Sequence, residues 1–146
     1  MTRRVLAVAD DPGARQSLRD TFAPLVAEWD AVLVRGAEAP GHLGRARFDA
    51  LVADAHLPAH GAAEVLAEAR RRSPATARLV LAAPGRAEVI GLVPLAHRVL
   101  PRPCPADELV GAIQRAHSLR EVLNSPALAA LVGRLAAVPA LSAVYN

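Results

Sequence analysis

Short apolar runs alternate along this chain with segments whose apolar residues recur at helical spacing. Five such runs predict strands, at residues 5–9, 31–34, 50–53, 79–82 and 99–100. Continuous apolar runs of this length are typical of strands that are buried on both faces of a parallel sheet.

The segments between the runs predict helices over residues 14–25, 62–72 and 87–93, with a further helix from Pro105 onward. The segment after Gly36 is rich in proline and glycine, and it predicts only a poor or broken helix. Strand and helix thus alternate five times. The sequence therefore predicts an α/β fold with a doubly wound five-stranded parallel sheet.

Acidic residues follow two of the predicted strands. Asp10 and Asp11 come directly after the first strand, and Asp54 comes directly after the third. Sites in open parallel sheets form at the carboxyl ends of the strands, so these carboxylates converge if the two strands are neighbours. Clustered carboxylates repel one another unless a cation lies among them, and Mg²⁺ is the natural occupant.

Composition narrows the class of protein. With 146 residues and 53% hydrophobic content, the chain suits one domain with a core and a short appendage. No apolar run is long enough to span a membrane, and we expect neither a membrane segment nor a signal peptide.

The single cysteine allows no internal disulfide, which suits a cytoplasmic protein. The basic residues are scattered and aromatic residues are few, so we do not expect nucleic-acid binding.

Other candidate chemistries are not favoured. His56 and His60 have the spacing of paired metal ligands on a helix, but Pro58 between them disfavours a helix and hence a zinc site. Cys104 lies between two prolines and has no evident base, so we do not expect a thiol nucleophile. The common hydrolase and nucleotide-binding glycine motifs do not occur.

Three features together resemble the receiver domain of two-component response regulators, over about residues 3 to 118. They are the turn Ala9-Asp10-Asp11-Pro12, the D-x-x-L-P-x-x-G stretch from Asp54 to Gly61, and the pair Arg102-Pro103. The resemblance implies a flavodoxin-like receiver fold with strand order 2-1-3-4-5, and it assigns residues 1–120 to the receiver domain.

The resemblance also implies a chemistry. Asp54 would be the phosphoacceptor, attacking a phosphohistidine on a sensor histidine kinase or phosphotransfer protein. Mg²⁺ would be held by Asp10, Asp54 and the backbone carbonyl of His56, with Asp11 as an outer acid. Such a domain has no enzymatic activity beyond its own phosphorylation and dephosphorylation.

Four positions depart from the family pattern. Ala9 replaces the first acid, Ala82 replaces the usual Thr or Ser, Val99 replaces an aromatic residue, and Arg102 replaces a lysine. Three hypotheses therefore stay open at this point. The chain is an active phosphoacceptor, a degenerate receiver that acts as a phosphorylation-independent interaction or dimerisation module, or a flavodoxin-like domain unrelated to signalling.

Two apolar segments suggest partners. Residues 89–95 form either a covered core helix or the surface through which receivers dimerise or contact their output domain. Residues 125–145 resemble the opening of HDOD output domains, so residues 121–146 are expected to be a helical linker and the start of a truncated output domain. We expect this output domain to be a partner, together with a second copy of the chain in a homodimer.

Overall fold

The buried aliphatic runs form one sheet of five parallel strands. The computed structural model describes residues 3–57, 61–83, 92–102 and 104–123, with side chains described as far as residue 118. The elements are β1 (Arg3–Val8), α1 (Pro12–Phe22), β2 (Trp29–Val34), α2 (Ala39–Arg45), β3 (Ala50–Asp54), α3 (Ala62–Arg72), β4 (Ala77–Ala82), β5 (Arg98–Pro101) and α4 (Ala106–Leu123). Short 3₁₀ turns follow α1, at Ala23–Leu25, and precede α2, at Gly36–Glu38.

The strand order across the sheet is β2-β1-β3-β4-β5, and all neighbouring pairs are parallel. This confirms the predicted fold class and the predicted order. β1 and β3 are neighbours, with Val8 opposite Ala53. The chain therefore leaves both strands at the same edge of the sheet, with Asp10 beyond one strand and Asp54 at the end of the other.

Helices cover both faces of the sheet, which explains why every residue of β3 and β4 is buried. Side chains alternate between the faces along a strand. In β3, Val52 packs in the core beneath α1 and α4, whereas Leu51 and Ala53 pack in the core beneath α2 and α3. The sheet belongs to the compact unit formed by residues 1–116.

Several element boundaries differ from the predicted ones. α1 ends at Phe22, and the 3₁₀ turn that carries Pro24 continues the chain. β1 and β2 begin earlier than their apolar runs, because Arg3 pairs with Trp29 and Arg4 pairs with Asp30 across the sheet. α2 has only seven residues, as expected for a segment with Pro40 and two glycines.

The predicted helix over residues 87–93 lies outside the described residues, apart from Leu92 and Val93. Leu92 is buried, whereas Val93 is 58% exposed. The predictions on residues 124–146 also lie outside the described part of the chain. Among the described residues, no helix has the length and apolar character needed to cross a membrane.

Candidate functional site

Asp54 is the last residue of β3, the middle strand of the sheet. Its side chain is only 3% exposed, because β3 lies between β1 and β4 with helices on both faces. In the described part of the chain it is the one fully buried acid. A buried carboxylate is unfavourable unless cations or hydrogen-bond donors compensate its charge, so the surroundings of Asp54 determine what it can do.

Arg102 supplies the compensating charge. It directly follows β5, and its Nη1 donates to Asp54 Oδ1 over 3.1 Å. Its backbone N–H donates to the carbonyl of Ala82 at the end of β4, over 3.1 Å. This bond holds the Arg102 backbone beside β4, the strand that lies between Arg102 and Asp54. The structure thus brings together two residues that the sequence separates by 48 positions.

The two oxygens of Asp54 have different surroundings. Oδ1 accepts from Arg102 and also from the backbone N–H of His56, over 3.3 Å. Oδ2 is buried and has no hydrogen-bond partner among the described residues. Buried polar atoms are usually paired, and one that is not indicates a functional role or an absent ligand. Oδ2 is therefore the atom that is free to react or to bind a cation.

Burial raises the pKa of the Asp54 carboxyl above its ordinary value of 3.8. The backbone hydrogen bond from His56 and the charge of Arg102 oppose this effect and lower the pKa, whereas the negative charge of Asp11 raises it further. The net shift is upward, so the ionised carboxylate is held in a less favourable state than in water.

Asp10 is turned toward the end of β2. Its Oδ1 accepts from the backbone N–H of Gly36 over 2.8 Å, and the carboxylate is half-buried. Gly36 begins the 3₁₀ turn that leads into α2, so Asp10 ties the loop after β1 to the loop after β2. The sequence pattern did not indicate this role, because the two residues are 26 positions apart and meet only once β1 and β2 pair.

Asp11 is the N-cap of α1. Its Oδ2 accepts from the backbone N–H of Ala14 over 2.9 Å, and Pro12 occupies the first helical position. An Asp directly before a Pro at the start of a helical pattern is a sequence signal for this arrangement. Asp11 therefore contributes to the fold as well as to the charge near Asp54.

Replacing Asp11 with alanine is expected to lower the free energy of unfolding by about 1 kcal/mol, because the Ala14 N–H loses its acceptor. Urea unfolding monitored by circular dichroism measures this loss. Asp11→Asn keeps a capping oxygen and serves as the control, with a change of no more than a few tenths of a kcal/mol. Equal losses in the two variants would show that the charge, and not the cap, stabilises the helix.

The predicted Mg²⁺ ligands are only partly assembled. Ala9 offers no carboxylate, and Asp10 and Asp11 each have one carboxylate oxygen that accepts from a backbone N–H. The described residues contain no group of three side-chain ligands that could hold a metal ion. However, Asp54 Oδ2 has no hydrogen-bond partner among the described residues and lies within the electrostatic influence of Asp11. Mg²⁺ commonly uses one or two carboxylates and completes its shell with water and phosphate oxygens. The residues present fit Mg²⁺ in that mode, with the His56 carbonyl as a further predicted ligand.

No family model and no curated protein matches this sequence. Solved structures match its fold. The chain is similar to the receiver domain of a sensor histidine kinase from Pseudomonas aeruginosa PAO1, which was solved with a magnesium ion coordinated in the active site cleft. The identity is 21%, the match covers 81% of this chain and 99% of that one, and the TM-score is 0.70.

Two other solved structures are similar to this chain in fold to about the same degree. The chemotaxis protein CheY4 from Vibrio cholerae is 26% identical, with 80% of this chain and 99% of that one covered and a TM-score of 0.67. The signal receiver domain of an HD domain-containing protein from Pseudomonas fluorescens Pf-5 is 21% identical, with 83% and 98% covered and a TM-score of 0.69. The chain therefore has the fold of the receiver domains of response regulators.

Proposed function

We propose that this chain is a receiver of two-component signal transduction that accepts a phosphoryl group on Asp54. The observation that carries the proposal is the Asp54 carboxylate itself, which is buried at the end of the middle strand. Arg102 donates to its Oδ1, and its Oδ2 has no partner in the part of the chain that the structure describes. The phosphoryl donor would be a sensor histidine kinase or a phosphotransfer protein.

The proposed reaction is nucleophilic attack by Asp54 Oδ2 on the phosphorus of a phosphohistidine. An O–P bond forms while the P–N bond breaks, and the departing imidazole nitrogen keeps the electron pair and takes up a proton from water. The hydrogen bond from the His56 N–H to Oδ1 orients the carboxylate, so that Oδ2 is the oxygen presented to the donor.

Mg²⁺, when bound, would supply positive charge to the phosphoryl oxygens, with Asp10, Asp54 and the His56 carbonyl as the predicted ligands and Asp11 as an outer acid. The protein's own cation at this position is Arg102. A guanidinium carries several N–H donors in one plane, so Arg102 can keep its bond to Asp54 and donate to a phosphoryl oxygen as well.

Ala82 has no hydroxyl to donate to the phosphoryl group, and Val99 is half-buried and aliphatic. The response to phosphorylation would therefore not run through a hydroxyl and an aromatic ring. We propose that Arg102 carries it instead, because an acyl phosphate on Asp54 changes the charge and shape of the group that the guanidinium contacts.

We further propose that residues 121–146 are a helical linker and the start of a truncated output domain of the HDOD type, with the chain acting as a cytoplasmic homodimer. A similar receiver fold occurs in a protein that also contains an HD domain, which supports a further domain beside the receiver. Light scattering of the chain at high concentration tests the dimer, and a mass that stays at one chain contradicts it.

The experiment that tests the proposed function is incubation with acetyl phosphate and Mg²⁺ followed by intact-mass spectrometry. We expect the wild-type chain to gain the mass of one phosphoryl group, and Asp54→Asn to gain none. No gain at saturating donor contradicts the proposal, and a gain that persists in Asp54→Asn places the acceptor on another residue.

A further inference from the structure

A cavity of about 330 Å³ lies between α1 and the edge strand β2. Trp29, the first residue of β2, lines it together with Phe22 from the end of α1 and Val26 from the turn between them. These residues surround the amino-terminal end of β2, whereas Asp54 lies at the carboxyl ends of the strands. The cavity is therefore separate from the candidate phosphoacceptor site.

Small side chains create the cavity. Trp29, Ala31 and Leu33 alternate along β2 and lie on one face of the strand, and Ala7 of β1 lies opposite Leu33. Trp29 and Leu33 pack in the core, whereas Ala31 is exposed where it lines the cavity. Alanine at two positions of this sheet face leaves a space that larger aliphatic residues would fill. Leu18 and Phe22 of α1 form the opposite wall. The lining is therefore largely apolar.

Two charged residues also line the cavity, and their surroundings differ. Asp30 Oδ2 lies 3.7 Å from Arg4 Nε, so its charge is already matched. Arg19 is exposed on α1, and its guanidinium forms no hydrogen bond or ion pair with any residue in the described part of the chain. The cavity thus offers apolar walls and one positive charge that no described residue matches.

Val26 adds a further observation. Its side chain is 75% exposed, which makes it one of the two large hydrophobic residues that the described part of the chain leaves in water. It lines the same cavity. A ligand that filled the space would cover part of this apolar surface.

We propose that the cavity binds a small apolar carboxylate. The apolar part of the ligand packs against Trp29 and Phe22, and its carboxylate pairs with the guanidinium of Arg19. The cavity volume is at the lower end of the range for small-molecule sites, so a ligand with one aromatic ring and a short acidic chain fits it better than a nucleotide or a peptide. The acid is favoured over an amine because the unmatched charge in the lining is positive.

Trp29 is the only tryptophan of the chain, so its fluorescence reports directly on the cavity. The test is titration of the full chain with 3-phenylpropionate, monitored by tryptophan fluorescence and checked by isothermal titration calorimetry. We expect saturable binding by the wild-type chain. Arg19→Met keeps the aliphatic stem and removes the charge, and it is expected to weaken binding about tenfold. Arg115→Met, at an exposed position of α4, is the matched control and should leave binding unchanged.

Ala31→Leu tests the cavity itself, since the larger side chain occupies the space that the ligand needs. We expect this variant to lose binding while it keeps the wild-type circular dichroism spectrum and an unfolding free energy no lower than that of the wild type.

The neutral analogue 3-phenylpropanol should bind the wild-type chain more weakly than the acid does. The acid and the alcohol should bind Arg19→Met equally. Absence of saturation, equal binding of acid and alcohol to the wild-type chain, or unchanged binding by Ala31→Leu would each overturn the proposal. None of these results depends on phosphorylation of Asp54.

Discussion

Replacing Arg102 with methionine is expected to lower the free energy of unfolding by about 2 to 3 kcal/mol near neutral pH. Methionine keeps much of the apolar stem but removes the cation that faces Asp54 Oδ1. Removing one partner of a buried ion pair leaves the other charge uncompensated. The Arg102 side chain is 30% exposed, so we expect a smaller decrease in the free energy of unfolding than for a fully buried pair. Urea unfolding measured by circular dichroism gives the change.

Arg98→Met is the matched control for this prediction. Arg98 is exposed at the start of β5 and forms no ion pair within the described residues, so its replacement should change the unfolding free energy by no more than about 0.5 kcal/mol. Combining Arg102→Met with Asp54→Asn should remove most of the Arg102 effect, because no carboxylate is then left without a partner. An equal loss from Arg102→Met in the wild-type background and in the Asp54→Asn background would show that Arg102 stabilises through packing alone.

Replacing Asp54 with asparagine is expected to raise the free energy of unfolding by about 1 to 2 kcal/mol near neutral pH. The carboxylate is buried and its Oδ2 has no partner in the described part of the chain. A neutral amide loses less hydration free energy than a carboxylate when it is buried. The oxygen of asparagine can still accept from His56 and Arg102. Catalytic and binding residues often reduce stability in this manner, so a gain would agree with a functional Asp54.

The stabilisation by Asp54→Asn should depend on pH. The folded-state pKa of Asp54 lies above the ordinary value of 3.8, so the folded state binds more protons than the unfolded state between these two pKa values. The stability of the wild-type chain therefore falls as pH rises through that interval and stays reduced above it. We expect the advantage of Asp54→Asn to be largest near neutral pH and to shrink as the pH approaches 3.8. An advantage that is constant with pH would contradict burial of the charge as its cause.

The sequence was sufficient to predict the fold and the position of Asp54. Buried strands in a parallel sheet are continuous apolar runs, and the runs at β3 and β4 could be recognised without knowledge of their neighbours. The rule that sites form at the carboxyl ends of strands then placed Asp54 at one edge, and the resemblance to receivers added Arg102. Their 3.1 Å contact followed from the strand order, to which the resemblance to receivers contributed.

The orientation of the other acids could not be predicted in the same way. A carboxylate near a strand end can accept from any backbone N–H within reach, and which one it meets depends on the path of the next loop. Asp10 turns to Gly36 because β2 pairs with β1 and brings that amide close. The cavity beside Trp29 was also unpredictable, since it depends on the combined volumes of residues from β1, α1, β2 and the turns between α1 and β2.

The last strand of the sheet affects how copies of this chain can associate. β5 has four residues and ends in Pro101, which has no backbone N–H to donate. A short edge strand with a proline is a poor template for a further strand, and such edges limit the joining of sheets between molecules. Any assembly on the β5 side would therefore use side-chain packing, which leaves the sheet, and the acid at its centre, structurally separate in each copy.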